Sequence, residues 1–88
     1  MVVLKLLELF NKINKCEAKI VLKHKLFDEQ VCYCKQLHIL NDENRVGVVI
    51  KNQEIFVNKQ DIKLLEYSND IFAIADDMLS ILIYVNKL

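Results

Sequence analysis

The segment VCYCKQLH, residues 31–38, holds the side chains of this sequence that are best suited to chemistry. Two thiols, Cys32 and Cys34, stand two residues apart, and the imidazole of His38 follows four residues later. Thiolates and imidazoles are preferred ligands of Zn²⁺, and a thiolate beside an imidazole can also act as a nucleophile. The segment therefore raises three hypotheses: a metal site, a reactive or redox pair, or a buried strand that uses cysteine as a small apolar residue.

The spacing of these side chains separates the hypotheses. On a strand, Cys32, Cys34 and His38 point to one face, but His38 would lie about 13 Å beyond Cys34. Structural zinc sites commonly use paired C-x2-C knuckles, and redox pairs use C-x-x-C; this chain has neither. We therefore predict structural cysteines and no bound metal. A metal- or redox-linked switch at Cys32, Cys34 and His38 is kept as an alternative.

Other candidates for catalysis are weaker. The adjacent acids Asp76 and Asp77 face apart on a strand or turn, so they do not converge on one substrate, and a hairpin turn is predicted there. Gly47 is the only glycine, which excludes the glycine-rich phosphate loops of nucleotide-binding enzymes. We predict that the chain is not an enzyme and uses no cofactor.

Length and composition indicate a single domain over residues 1–88. The apolar fraction of 53% is high for so short a chain. Because a small domain has much surface for its volume, part of this apolar content must lie on the surface, where a partner can cover it.

The net charge is zero but unevenly distributed. Residues 1–40 carry seven lysines and four acids, whereas residues 41–88 carry five basic and eight acidic side chains. A neutral chain with one arginine lacks the general basic field of nucleic-acid binders. The lysines between residues 12 and 25 form a local patch, so a nucleic-acid partner stays an alternative.

The N-terminal segment MVVLKLLELF differs from a signal peptide because it lacks a basic start and a small-residue cleavage site. It is also shorter than the ~20 apolar residues of a membrane span. An odd number of cysteines favours reduced thiols. A soluble, cytoplasmic protein without membrane contact is therefore expected.

Hydrophobic periodicity predicts a helix over residues 2–15, followed by strands. Alternation in EAKIVLKHKL predicts a strand, FDEQ a turn, and VCYCKQLHIL a second strand. NDEN predicts a turn, RVGVVI a strand, KNQE a turn and IFV a strand. A short helical turn follows at NKQD, a further strand is allowed after it, and IFAIA, DD and MLSILIYV predict a final hairpin. The lone Gly47 within a strand suggests a bulge or bend.

These elements predict an α+β fold in which one helix precedes a five- to six-stranded antiparallel meander. Their order resembles the Sm-like and SH3-like small barrels, and IKNQEI at 50–55 resembles the second Sm signature, with lysine and asparagine where arginine and glycine usually stand. The resemblance implies a partly open small barrel that binds RNA or DNA. In that family the motif lies near the C-terminus, whereas here a hairpin follows it.

Two features predict self-association. The apolar face of the N-terminal helix is wider than one packing surface can cover, and MLSILIYV is apolar on both sides. The residues predicted to take part are Leu4, Leu7, Phe10, Met78, Ile81 and Ile83.

One of two charged surfaces is predicted to steer a partner. Edge strands often carry lysine, so the strand near residues 18–25 is placed at a sheet edge, while the acids are placed in exposed loops at 41–44 and 76–77. The residues concerned are Lys19, Lys23, Lys25, Asp42, Glu43, Asp76 and Asp77.

Together these observations predict a small, non-enzymatic interaction domain that binds another protein and forms a homo-oligomer. The small size and the lysine-, asparagine- and isoleucine-rich composition suggest an accessory or inhibitor protein of a phage or other mobile element. An Sm-like barrel that binds nucleic acid and a metal- or redox-linked switch are the alternatives.

Overall fold

In the computed structural model of the chain, the backbone is described from residue 2 to residue 86 and the side chains from residue 5 to residue 86. Within this part, one α-helix precedes eight strands, and a 3-10 turn separates the fifth strand from the sixth. The elements are α1 Val2–Lys12, β1 Ala18–His24, β2 Phe27–Cys34, β3 His38–Asn41, β4 Arg45–Ile50, β5 Gln53–Asn58, the 3-10 turn Lys59–Asp61, β6 Leu64–Ser68, β7 Ile71–Ala75 and β8 Leu79–Val85.

The strands form two sheets, and every strand pair is antiparallel. The larger sheet has the order β2-β1-β8-β7-β6, and the smaller sheet has the order β3-β4-β5. The mainly antiparallel α+β architecture is as predicted, but the single meander of five or six strands is wrong, because β1 pairs with the last strand, β8. The two sheets do not confirm the small-barrel expectation.

The helix ends at Lys12, three residues before the predicted end. Lys15 adopts a left-handed backbone conformation with φ 69°, which an α-helix cannot accommodate. The chain therefore turns there and enters β1.

The first hairpin turns two residues earlier than FDEQ suggested. Lys25 and Leu26 form the turn, and Phe27 already begins β2. The Leu26 N–H donates to His24 Nδ1 at 3.1 Å, and the His24 and Phe27 rings are 4.9 Å apart. These local contacts fix the turn, so the predicted turn at FDEQ is wrong.

The predicted strand VCYCKQLHIL is divided between the two sheets. Its first half ends β2 at Cys34, and its second half begins β3 at His38. Between them the buried Leu37 donates its N–H to the Cys16 carbonyl at 2.8 Å and accepts the Lys15 N–H at 2.7 Å. Burial of Leu37 therefore redirects the chain from one sheet to the other.

The hydrophobic core lies between the inner faces of the two sheets and beneath α1. The Phe10 ring of the helix is fully buried, 5.0 Å from the ring of Phe72 on β7. The buried members of the core are Phe10, Ile13, Ala18, Ile20, Leu37, Val46, Val48, Val57, Phe72, Ile74, Ile81 and Ile83.

Helix α1 covers one side of the two-sheet structure, where it contacts β3 and β6. Asn14 Oδ1, just after the helix, accepts the Ile39 N–H at 3.2 Å, and the amides of Asn11 and Asn41 are hydrogen-bonded at 2.8 Å. On the side where β2 faces the β4–β5 hairpin, a cleft of about 470 Å³ lies between Cys32 and Ile55.

Gly47 lies in the middle strand of the smaller sheet, and its registers with β3 and β5 are continuous. The predicted bulge is therefore wrong. A Cβ atom at this position would lie 2.6 Å from Phe56 Cα and 2.9 Å from the Ile55 carbonyl carbon, and still closer to the Ile55 carbonyl oxygen. Glycine is thus required by the close approach of β5, and not by a left-handed backbone.

Two acids build the turns in which they were predicted. Asp42 Oδ1 accepts the N–H groups of Asn44 and Arg45, at 2.9 and 2.8 Å. Asp76 Oδ1 accepts those of Met78 and Leu79, at 2.8 and 2.7 Å. The hairpin turn predicted for the Asp76–Asp77 pair is confirmed, as are RVGVVI, the final hairpin and the short helical turn after Asn58.

Candidate interaction surface

The cysteine–histidine constellation is not assembled. Cys32 and Cys34 lie close together on β2, as expected from their spacing, but His38 begins β3 in the other sheet and is exposed. In the part of the chain that is described, no group of three or more His, Cys, Asp or Glu side chains is placed to hold a metal ion.

The thiol of Cys34 is not activated as a nucleophile. Cys16, Cys32 and Cys34 are free and partly buried. Burial, and next the neighbouring Cys32 thiol, raise the pKa of the Cys34 thiol above its usual value of 9.0. A raised pKa leaves Cys34 protonated at neutral pH, which is the opposite of what a nucleophile needs.

The residues predicted for self-association do not form one exposed surface. Phe10, Ile81 and Ile83 are fully buried in the core, which removes them from any contact with a partner. Leu7 is partly buried against the core, and Met78 is 41% exposed at the β7–β8 turn. The Leu4 side chain lies outside the described residues. The physical reason is the alternation along β8, which turns Ile81 and Ile83 inward.

The lysines of β1 occupy a different position from the one predicted. β1 is an inner strand between β2 and β8, so its predicted place at a sheet edge is wrong. Lys19 and Lys23 share one face of β1, while Lys25 lies in the exposed turn that follows. The Lys19 ammonium is 4.5 Å from the centroid of the Tyr84 ring, and Lys23 Nζ is 3.8 Å from Glu29 Oε1.

The acidic loops are largely exposed, as predicted: Asp42, Glu43 and Asp77 are exposed, and Asp76 is partly buried. Asp42 is also engaged within the chain, because Arg45 Nε and Nη2 donate to its Oδ2 at 2.8 and 2.7 Å. These hydrogen bonds, with that from the Asn44 N–H, lower the pKa of Asp42 below its usual value of 3.8.

Arg45 connects three elements of the smaller sheet. Its Nη1 donates to Glu54 Oε1 of β5 at 3.0 Å, and its guanidinium carbon is 5.0 Å from the centroid of the Phe56 ring. Together with Asp42, these contacts hold the β3–β4 turn against β5. The Asp42–Arg45–Glu54 cluster therefore has a structural role.

The larger sheet presents an apolar outer face, formed by the residues that alternate with the core residues. Its middle row runs across all five strands through the paired residues Val31, Val21, Leu82, Ala73 and Glu66. The next row runs through Tyr33, Lys19, Tyr84, Ile71 and Ser68. We call these two rows the outer sheet face.

Burial on the outer sheet face is incomplete. Val21 and Ala73 are only 7% and 5% exposed, yet neither belongs to the core cluster, because their neighbours on the same face shield them. At the β2 end, Val31 and Tyr33 are 52% and 78% exposed. Among the described residues, α1 contacts β3 and β6, and no strand of the smaller sheet pairs with the larger sheet. The part of this face that is both apolar and exposed therefore lies at the β2 end, where a partner can contact it.

A cavity of about 550 Å³ lies at one end of this face, between β1, β2 and β8. Lys19, Tyr33, Lys35 and Tyr84 line it together with Cys34. Two tyrosines, two lysines and the acid Glu17 thus line one concave site.

Sequence reasoning missed the outward residues Val21, Val31, Ala73 and Leu82 as a surface. The available signal was the apolar run of β8, which indicated that both of its faces are covered. That run does not show whether Ile81 and Ile83 or their neighbour Leu82 face the core. Ile81 and Ile83, which face inward, were therefore assigned to the interface. The pairing of β1 with both β2 and β8 is what assembles the surface.

Among residues 2–86, the only α-helix has 11 residues, and no helix is long and apolar enough to cross a membrane. A scan against protein-family models and searches of curated proteins and of solved structures gave no significant match to this chain.

Proposed function

We propose that this chain is a non-enzymatic interaction domain that binds another protein through the outer sheet face. The observation that carries the proposal is the row Val31, Val21, Leu82 and Ala73, which is apolar over four strands and is more than half exposed at Val31. Apolar rows of this extent on small domains commonly mark interaction sites.

The chemistry of the surface suits a protein partner. Tyr33 and Tyr84 supply aromatic rings with polar tips, which are enriched in protein interfaces. Lys19, Lys23 and Glu66 lie around the apolar row and can orient a partner without being buried themselves. The three free thiols suit a reducing compartment, so a cytoplasmic location belongs to the proposal. The proposal extends to an accessory or inhibitor role in a phage or other mobile element.

The test compares two variants that introduce the same side chain on different sheets. Leu82→Lys places a charge in the middle of the outer sheet face, while its long stem can still cover the neighbouring apolar atoms. Val49→Lys makes the matched change on the outward side of the smaller sheet, where the residue is likewise partly buried. Circular dichroism establishes that both variants are folded.

Each protein is immobilised and exposed to lysate of its source cells, and the captured proteins are quantified by mass spectrometry. We expect Leu82→Lys to lose a specific partner that both the unchanged chain and Val49→Lys retain. Retention of every captured protein by Leu82→Lys, with loss in Val49→Lys, would place the binding surface on the other sheet. Purified partner should then perturb the methyl NMR signals of Val21 and Ala73.

A nucleic-acid partner is the second candidate, favoured by the cavity lined by Lys19, Tyr33, Lys35 and Tyr84. Exposed rings beside lysines can stack on the bases of a single strand, and ammonium groups can contact its phosphates. Fluorescence anisotropy with a labelled single-stranded oligonucleotide tests this candidate. Salt-dependent binding that is lost in Tyr33→Ala would support it, and absence of binding at low salt would remove it.

A further inference from the structure

β2 is an edge strand, and a cleft between Cys32 and Ile55 separates it from the β4–β5 hairpin. Within residues 2–86, β1 alone pairs with it, whereas β6 at the other edge of the sheet is contacted by α1. β2 has eight residues and contains neither proline nor lysine. Such a strand offers unpaired N–H and C=O groups to another chain.

We propose that β2 pairs antiparallel with β2 of a second copy of this chain, about a two-fold axis at Cys32. The two larger sheets then join edge to edge into one continuous sheet. A two-fold axis perpendicular to the sheet keeps the outer sheet faces of both copies on the same side of the joined sheet. The apolar rows of the two copies therefore lie on one common face.

The register follows from the requirement that outward residues oppose outward residues. With Cys32 opposite Cys32 of the second copy, Val31 lies opposite Tyr33, and Glu29 opposite Lys35. Glu29 lies at the irregularity in β1–β2 pairing between Phe27 and Gln30, and the register is regular from Gln30 to the end of β2 at Cys34. Lys35 follows Cys34 directly, and its long side chain can contact Glu29 of the second copy.

Charge and packing favour this register over its neighbour. It forms two Glu29–Lys35 pairs and two Val31–Tyr33 pairs, each of which is a favourable cross-strand combination. Centring the axis on Val31 places Glu29 opposite Tyr33 and leaves Lys35 opposite Phe27, so neither charge meets an opposite charge. Within the chain Glu29 forms one long ion pair, with its Oε1 3.8 Å from Lys23 Nζ and both side chains about half exposed. Exposed ion pairs contribute little to stability, so Glu29 can exchange Lys23 for Lys35 of the second copy at small cost.

This inference does not rest on the proposed function. The edge of β2 can pair with a second copy whether or not the outer sheet face binds another protein. The experiments below use only purified chain, so their failure leaves the capture experiment unaffected.

Site-specific cross-linking tests the axis. Two variants each retain one thiol of β2: Cys16→Ser with Cys34→Ser keeps Cys32, and Cys16→Ser with Cys32→Ser keeps Cys34. In the proposed dimer the Cys32 thiols face each other across about 5 Å, whereas the Cys34 residues lie about 14 Å apart. A short bis-maleimide should therefore give a covalent dimer with the Cys32 protein only. Equal cross-linking of both proteins, or none, overturns the register.

Charge reversal tests the pairing itself. Glu29→Lys places two lysines opposite each other, and Lys35→Glu places two carboxylates opposite each other, each twice per dimer. By sedimentation velocity, each variant alone should dissociate at least about tenfold more readily than the unchanged chain. Mixed together, the two variants form complementary pairs at both positions, so the mixture should regain association to within about threefold of the unchanged chain.

The matched controls lie at the opposite edge of the same sheet. Asp61→Lys and Lys63→Glu make the same charge changes at exposed positions just before β6 and should leave association unchanged. A strictly monomeric unchanged chain at hundreds of micromolar, or a mixture that associates no better than its components, overturns the proposal.

Discussion

Replacement of Gly47 by alanine should destabilise the domain strongly, although glycine is ordinarily the weaker residue in a strand. The added Cβ would lie 2.6 Å from Phe56 Cα and closer still to the Ile55 carbonyl oxygen. Both are backbone atoms of β5, and they cannot rotate away as a side chain can. β4 also pairs with β3 on its other side, so it has little freedom to shift.

The expected magnitude follows from two opposing effects. Overpacking of a well-packed site typically costs about 1–3 kcal/mol, and contact with fixed backbone atoms places Gly47→Ala at the upper end. Reduced entropy of the unfolded chain offsets about 0.4–1 kcal/mol. The free energy of unfolding should fall by about 2–3 kcal/mol, which for a domain of this size lowers the Tm by about 10–20 °C.

Thermal and urea unfolding followed by circular dichroism measure this change. Val49→Ala, two residues further along the same face of β4, serves as the control, since it only removes methyl groups from a partly buried site and should cost about 1 kcal/mol. A Gly47→Ala protein as stable as Val49→Ala, or more stable, would refute the argument from close approach.

Three further predictions concern single side chains. Asp76→Ala should lower the free energy of unfolding by about 1 kcal/mol through loss of two hydrogen bonds to the β7–β8 turn, while the same change at the neighbouring exposed Asp77 should have little effect in urea unfolding. The pKa of Asp42 is lowered in the folded state, so its contribution to stability is present above pH 3.8 and is lost as the pH falls from there toward the folded pKa. NMR titration of Asp42 should give a midpoint below 3.8. Asp42→Asn should weaken the dependence of the free energy of unfolding on pH in this range. Phe10→Ala should cost about 3–5 kcal/mol, because the ring is fully buried against Phe72, and a small effect in thermal unfolding would show that α1 is not docked as described.

The turns and the regular strands could be predicted from the sequence because their determinants are local. Asp42 and Asp76 bind backbone N–H groups two and three residues ahead, which makes a turn wherever they stand. The hairpin of β7 and β8 follows from two apolar runs separated by such a turn. The proximity of Cys32 to Cys34 likewise follows from the two-residue period of a strand.

The site could be predicted only in part. The excess of apolar surface was evident from the composition and from the run in β8, and it correctly indicated that both faces of β8 are apolar. The assignment of Ile81 and Ile83 to the surface was wrong, because a strand with apolar residues on both sides has no preferred inner face. The packing of Phe72 and α1 against one of those faces makes that choice.

Long-range pairing decided the rest. β1 and β8 are separated by more than half of the chain, and their pairing converts the lysine-bearing β1 from an expected edge into an inner strand, leaving β2 as the edge. Burial of Leu37 divides one apparent strand between two sheets and separates His38 from the two cysteines. The sequence by itself thus determined the local elements and the surplus of apolar residues. Only the tertiary structure decided which faces are covered and which edge is open, because these depend on contacts between residues that no local pattern relates.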